Sequence, residues 1–154
     1  MRILQCACLA LLLLTGCAKI KNVPRPLAKK ATLELYIVSP IKTPTTKQAT
    51  IPDTNATIYL TTPAIITAAD VATVQRSEDT PDIPPALIVN LTPAGETKLA
   101  LATANPAGMQ IAMLINGTVV SVPKVITPLS STFHITISAT SEKYEQLFDS
   151  LTKN

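Results

Sequence analysis

The chain has 154 residues, 13 basic and 10 acidic, with one histidine and three cysteines, and 47% of its positions are apolar. That length suits one domain plus a tether, and with only five aromatics (Tyr36, Tyr59, Phe133, Tyr144 and Phe148) the core must be built mainly from Ile, Leu, Val and Ala. The net charge of +3 is uneven: residues 18–32 hold five bases and no acid, whereas from Leu33 onward seven bases face ten acids, so the folded body is slightly acidic and nucleic acid is argued against as a partner.

Arg2 followed by the apolar residues 3–14 has the parts of a secretory signal. The run is too short to span a bilayer as a helix, which takes roughly 20 residues. Leu14-Thr15-Gly16-Cys17 then sets a cysteine directly after two small residues. This resembles the lipobox of bacterial lipoproteins. The resemblance implies that the signal peptidase reads Leu14, Thr15 and Gly16 and removes residues 1–16. It also implies that Cys17 is acylated, palmitate included, and heads the mature chain. Membrane lipid is then the first partner, because two or three acyl chains attach stably at about 0.8 kcal/mol per buried methylene. Ala18 and Lys19, with no aspartate beside the cysteine, resemble the pattern of lipoproteins sent to the outer membrane of Gram-negative cells. Cys6 and Cys8 fall in the signal segment, so on this reading no thiol is left for a disulfide, a zinc site or a nucleophile.

Residues 17–31 read as the lipidated cysteine and a tether, stiffened by Pro24 and Pro26. Fully stretched, residues 18–31 reach on the order of 45 Å. Their lysines and Arg25 either hold anionic headgroups, at about 1 kcal/mol each near the surface, or simply keep a linker solvated. The body, residues 32–154, begins with a strand in which Leu33, Leu35 and Ile37 alternate with Glu34, Tyr36 and Val38. Residues 39–55, rich in Pro, Thr and Lys, are expected as a mobile loop. Residues 57–61 form a second strand, Thr67-Ala68-Ala69-Asp70 a helical turn, and residues 71–77 a strand-like stretch. Residues 78–85 make an acidic, proline-containing loop.

Residues 86–91 are a dense apolar strand. Thr92 can cap the following helix and Pro93 suits its first turn, with Asn105-Pro106 stopping it after about Ala104. Residues 109–115 and 118–122 are strands joined by Asn116-Gly117, the strongest hairpin signal in the chain. Phe133, Ile135 and Ile137 mark another strand. Ser141 can cap a last helix whose Tyr144, Leu147, Phe148 and Leu151 form one apolar stripe. The order argues for an α+β domain with two main helices packed on a mostly antiparallel sheet.

From Pro85 to Leu151 these segments resemble the head subdomain of the periplasmic domain of SecD and SecDF, accessory proteins of Sec-dependent protein export. Residues 86–95 resemble the family strand that enters a helix through a Gly-containing turn. Residues 101–105 resemble the end of that helix. Residues 111–123 resemble its hairpin, with Asn116 where the family usually has Asp. Upstream, Ile58-Tyr59-Leu60 and Ile65-Ile66-Thr67-Ala68-Ala69-Asp70-Val71 resemble a strand and the leucine-threonine-glycine-x-aspartate segment. Glycines usual around the later strand are replaced at Ser130-Ser131-Thr132 and Ser138-Ala139. The resemblance does not extend to the membrane helices that couple export to proton flow. It therefore implies the fold and binding to polypeptide, and not the motor.

No catalytic constellation emerges. His134 sits on the strand face opposite Phe133 and Ile135 and lacks the serine and acid of a triad. It has no Cys or His companion for a metal. Glu78, Asp79 and Asp82 lack the glycine turn of a calcium loop and read as a solvated acidic loop. Asn116 and Gly117 are a turn whose tip can carry a contact. No cofactor is expected. The reading is a lipid-anchored, non-enzymatic binding module of the cell envelope that contacts exported polypeptide or an envelope protein. The alternative is a structural lipoprotein that docks into a larger envelope complex. An enzyme would need a polar pocket around Lys98, Lys124 or His134.

Overall fold

In chain order the elements are β1 (Leu33–Ser39), β2 (Thr46–Ile51), β3 (Ala56–Thr61), a 3-10 turn (Ala68–Asp70), β4 (Val71–Arg76), β5 (Ala86–Leu91), α1 (Pro93–Ala102), β6 (Ile111–Ile115), β7 (Thr118–Ser121), β8 (Thr132–Thr136) and α2 (Ser141–Thr152). The computed structural model describes residues 22–77, 85–137 and 141–153. The fold is α+β, but the strands divide into two antiparallel sheets, ordered β2-β3-β1-β6-β7 and β4-β5-β8.

β1 is the spine of the larger sheet. It pairs with β6 from Leu33↔Ile115 to Ile37↔Ile111, and its last residues pair with β3 through Val38↔Leu60. Alternation puts Leu33 and Leu35 on one face, both fully buried, and Tyr36 on the other. The main core lies between the sheets. There Leu87 and Val89 of β5, Phe133 and Ile135 of β8, and Ile111 and Met113 of β6 meet Leu99 of α1 and Tyr144, Phe148 and Leu151 of α2. Full burial of one such side chain stabilises by about 1.5–3 kcal/mol. The stripe expected on α2 is thus the face it buries.

A second, smaller cluster of Tyr36, Leu60, Ala112, Leu114 and Val119 occupies the other face of the five-stranded sheet. The sheet curls until its outermost strands, β2 and β7, come into contact. That closure is why every residue of β6 is buried and its sequence, Ile-Ala-Met-Leu-Ile, shows no alternation.

Local signals hold where the chemistry is local. Asn116 and Gly117 take φ values of 48° and 79°, the two left-handed residues that a tight primed hairpin turn requires. Thr92 Oγ1 accepts the Gly95 N–H at 3.2 Å, with Pro93 opening α1. The helix ends two residues earlier than expected, at Ala102. Thr103 is buried there, donating its hydroxyl to Leu99 O at 2.8 Å and accepting Leu129 N–H at 2.9 Å. β6 starts at Ile111 and not at Met109, because residues 106–109 turn through Gly108 at φ 77°.

Two expectations are corrected. The loop assigned to residues 39–55 contains β2, zipped to β3 from Thr46↔Thr61 to Ile51↔Ala56. Its Ala49 and Ile51 turn toward the second cluster while Lys47, Gln48 and Thr50 stay exposed, an edge-strand pattern with little apolar signal. The stretch read as tether is also laid on the domain over its described part. Arg25 and Val74 exchange two backbone hydrogen bonds of 2.8 Å, Ala28 N–H donates to Leu151 O at 2.7 Å, and Ala28 and Ala31 enter the main core. The stretched reach does not apply to this segment. The cap expected from the Ser141 side chain lies outside the described residues.

Candidate functional site

Asp70 is the only buried carboxylate among the described residues. The 3-10 turn points it back at its own start, where Thr67 N–H and Thr67 Oγ1 donate to Oδ2 at 3.0 and 3.1 Å. Lys98 of α1 reaches Oδ1 at 2.6 Å. Burial would raise the carboxyl pKa, but the Lys98 ammonium and the two Thr67 donors outweigh it and hold Asp70 below its ordinary value of 3.8. The backbone joins in, with Thr92 N–H donating to Asp70 O at 2.8 Å. Gly95 packs so closely that a Cβ there would stand 2.6 Å from Asp70 O. This is a structural lock between the 3-10 turn and α1. Its charged partner is 54% exposed and the carboxylate 5%.

A carboxyl whose folded pKa is depressed contributes stability above its unfolded pKa and loses it as pH falls through the folded value. The chain should therefore lose stability as pH drops below about 4, and Asp70→Asn should flatten that slope while costing about 1–3 kcal/mol at neutral pH. Urea unfolding of both proteins across pH 2–7 checks this; parallel curves would remove Asp70 from the explanation.

The hairpin tip is used within the chain. Asn116 Oδ1 accepts Thr32 N–H at 2.9 Å, Asn116 N–H donates to Thr32 O at 3.0 Å, and Nδ2 donates to Ser150 Oγ at 3.2 Å. Asn116 thereby ties the hairpin to the start of β1 and to α2. A cavity of about 460 Å³ lies beside it, bordered by Lys29, Lys30 and Lys153.

A more apolar concavity lies elsewhere. A groove of about 360 Å³ runs between β8 and residues 123–127, with Ile111, Met113, Val125 and Phe133 among its lining. Lys124 and His134 stand at this groove, and Ile126 beside them is 82% exposed. A second pocket of about 290 Å³, lined by Val120, Ile137 and Leu147 among others, sits at the far end of β8. Lys124 and His134 are thus brought together, on an apolar groove and without a deep polar pocket, while Lys98 is held apart at Asp70. His134 is exposed on its strand, facing Ile88 of β5. Sequence reasoning passed over Val125, Ile126 and Leu129. Their signal was faint: apolar residues in a stretch punctuated by Pro123 and Pro128, with no strand or helix period. Leu14, Thr15, Gly16 and Cys17, like the acidic Glu78, Asp79 and Asp82, lie outside the described residues. Among the described residues no cluster of three or more His, Cys, Asp or Glu could hold a metal ion.

Comparison with known proteins bears on this geometry. The family model for the SecDF P1 head subdomain matches residues 43–153. The chain belongs to the SecDF P1 head family. Two solved structures share the head fold, each with a TM-score of 0.55. One, at 19% identity, is from work on a membrane component SecDF that enhances protein export; the match covers 80% of this chain and 60% of that one. The other, at 20% identity, is SecDF in a super-membrane-facing form, with 77% of this chain and 18% of that one covered. No curated protein sequence matches. The chain therefore corresponds to part of each SecDF chain. Within the head fold, the Gly-containing turn quoted from the sequence has a physical role here, since Gly95 admits the Asp70 backbone. No helix among the described residues is long and apolar enough to cross a membrane.

Proposed function

We propose that this head domain works as a non-enzymatic binding module in the cell envelope, held to a membrane by lipid on Cys17, and that it contacts exported polypeptide or an envelope protein. The observation that carries the reading is the SecDF head match over residues 43–153, together with an open apolar groove on the domain surface. The anchor rests on Leu14-Thr15-Gly16-Cys17 and the apolar run before it. Docking into one larger envelope complex is the competing role, and it would show as co-purification at fixed stoichiometry.

Two measurements test the proposal. Photocrosslinking in cells from a probe at Ile126 should recover envelope or exported proteins; a folded domain that recovers nothing above background removes the binding role. Cys17→Ser should move the protein from the membrane pellet to the soluble fraction and abolish palmitate labelling. A variant that still pellets and labels would locate the attachment elsewhere.

A further inference from the structure

β8 forms one edge of the three-stranded sheet, and among the described residues no strand pairs with its outer side. Leu91 N–H donates to Ser131 O at 2.8 Å, and the register continues through Val89↔Phe133 and Leu87↔Ile135. In an antiparallel ladder, paired and outward-facing residues alternate. The N–H and C=O groups of Thr132, His134 and Thr136 therefore point away from β5. They present a row of donors and acceptors at two-residue spacing. The apolar groove opens along this same edge, floored by Met113 and Phe133. Its opposite lip is fixed, since Lys124 bridges to Gln110 and Val125 N–H donates to Met109 O at 2.9 Å.

We infer that the β8 edge takes an extended segment of a non-native polypeptide as an added strand, seating an apolar side chain of that segment in the groove against Met113 and Phe133. This rests on the binding-module reading and gives it a place and a mode. The occupant follows from the edge itself. A row of unpaired backbone groups matches only another extended backbone, which supplies affinity without sequence demand, while the adjacent pocket selects one alternate side chain. The one charge at the rim, Lys124, has no acid beside it in the groove lining, so an acidic flank fits better than a basic one. A second copy pairing edge to edge about His134 would bring two Lys124-bearing rims together, which disfavours self-association.

The test uses the full chain with reduced, carboxymethylated lactalbumin as a permanently unfolded probe and native lactalbumin as its folded control. Two variants separate binding from folding. His134→Pro removes an N–H that faces away from β5, a position where an edge strand tolerates proline. Ile126→Asp alters a side chain that is 82% exposed. The unfolded probe should bind and the native control should not. Amide exchange at Thr132, His134 and Thr136 should slow on binding. Each variant should weaken binding about tenfold or more, the scale of one lost interfacial hydrogen bond or apolar contact. Equal binding by both variants and wild type, or unchanged exchange at those amides, overturns the β8 site while leaving the module reading intact. So does absence of probe binding when cellular crosslinks to an envelope protein persist. If both the probe binding and the crosslinks are absent, the module reading fails with it. Concentration-dependent self-association abolished by His134→Pro would reassign the edge to a second copy.

Discussion

Phe148→Ala is expected to lower the unfolding free energy by about 3–5 kcal/mol, the largest effect of any single truncation in this domain. Phe148 is 1% exposed in the main core. Two guanidinium groups also lie over its ring, Arg76 at 4.6 Å and Arg25 at 5.7 Å. Arg76 is further paired with Glu145 one turn back along α2. The ring thus gathers β4, α2 and the incoming N-terminal segment. Phe148→Leu keeps most of the apolar volume but removes the π face, and should cost about 1–2 kcal/mol. Its distinguishing mark is faster amide exchange at Arg25 and Ala28 than global destabilisation explains. Urea denaturation gives the first quantity and exchange the second. A loss under about 1 kcal/mol for the alanine variant would mean the core does not turn on this ring.

Gly95→Ala should also be clearly damaging, although it adds a single methyl group to a helix. Elsewhere in a helix interior that exchange stabilises by up to about 1 kcal/mol. Here the new Cβ would meet Asp70 O at 2.6 Å and Asp70 Cβ at 2.9 Å. The obstacle is mainly backbone, held in place by Thr92 N–H and by the Thr67 and Lys98 contacts to the carboxylate. No flexible side-chain end can swing aside. Overpacking of this kind costs about 1–3 kcal/mol, and the upper part of that range applies when a hydrogen-bonded backbone must move. Thermal unfolding of Gly95→Ala should show a fall in Tm of several degrees, roughly 3–5 °C per kcal/mol for a domain of this size. An unchanged or raised Tm would show that α1 can slide away from the 3-10 turn freely.

The sequence revealed those features whose cause lies within a few residues. Asn116-Gly117 announced its turn because both positions must be left-handed, and Thr92-Pro93 announced a helix start because cap and first turn are neighbours. The stripe on α2 was readable for the same reason, being periodic over two turns. Features made by distant partners were hidden. β2 has mostly polar residues because it lies at an edge, and what makes it a strand is β3. Gly95 and Asp70 meet across 25 positions, and nothing near either residue signals the contact. The Ala28 and Ala31 side chains are too small to mark a buried segment, so the approach to β1 read as linker. The groove at β8 was missed because its lining comes from β6, from β8 and from the chain between Pro123 and Leu129, each unremarkable when read alone.

The way the N-terminal segment is fastened also decides how the domain responds to being pulled. Traction on the chain ahead of Asn22 meets the Asn22 Nδ2–Ser77 O hydrogen bond first, then the Arg25–Val74 backbone pair and the Ala28–Leu151 hydrogen bond. Load therefore passes into β4 and the end of α2 before it reaches β1. Arg25 over the Phe148 ring and the buried Ala28 act as a strain relief, much as a cable clamp spares the joint behind it. Peeling a few contacts lengthens the chain while the two sheets keep their register. The open groove, on residues of β6 and β8, lies outside that line of force, so a domain drawn taut would keep its docking edge intact.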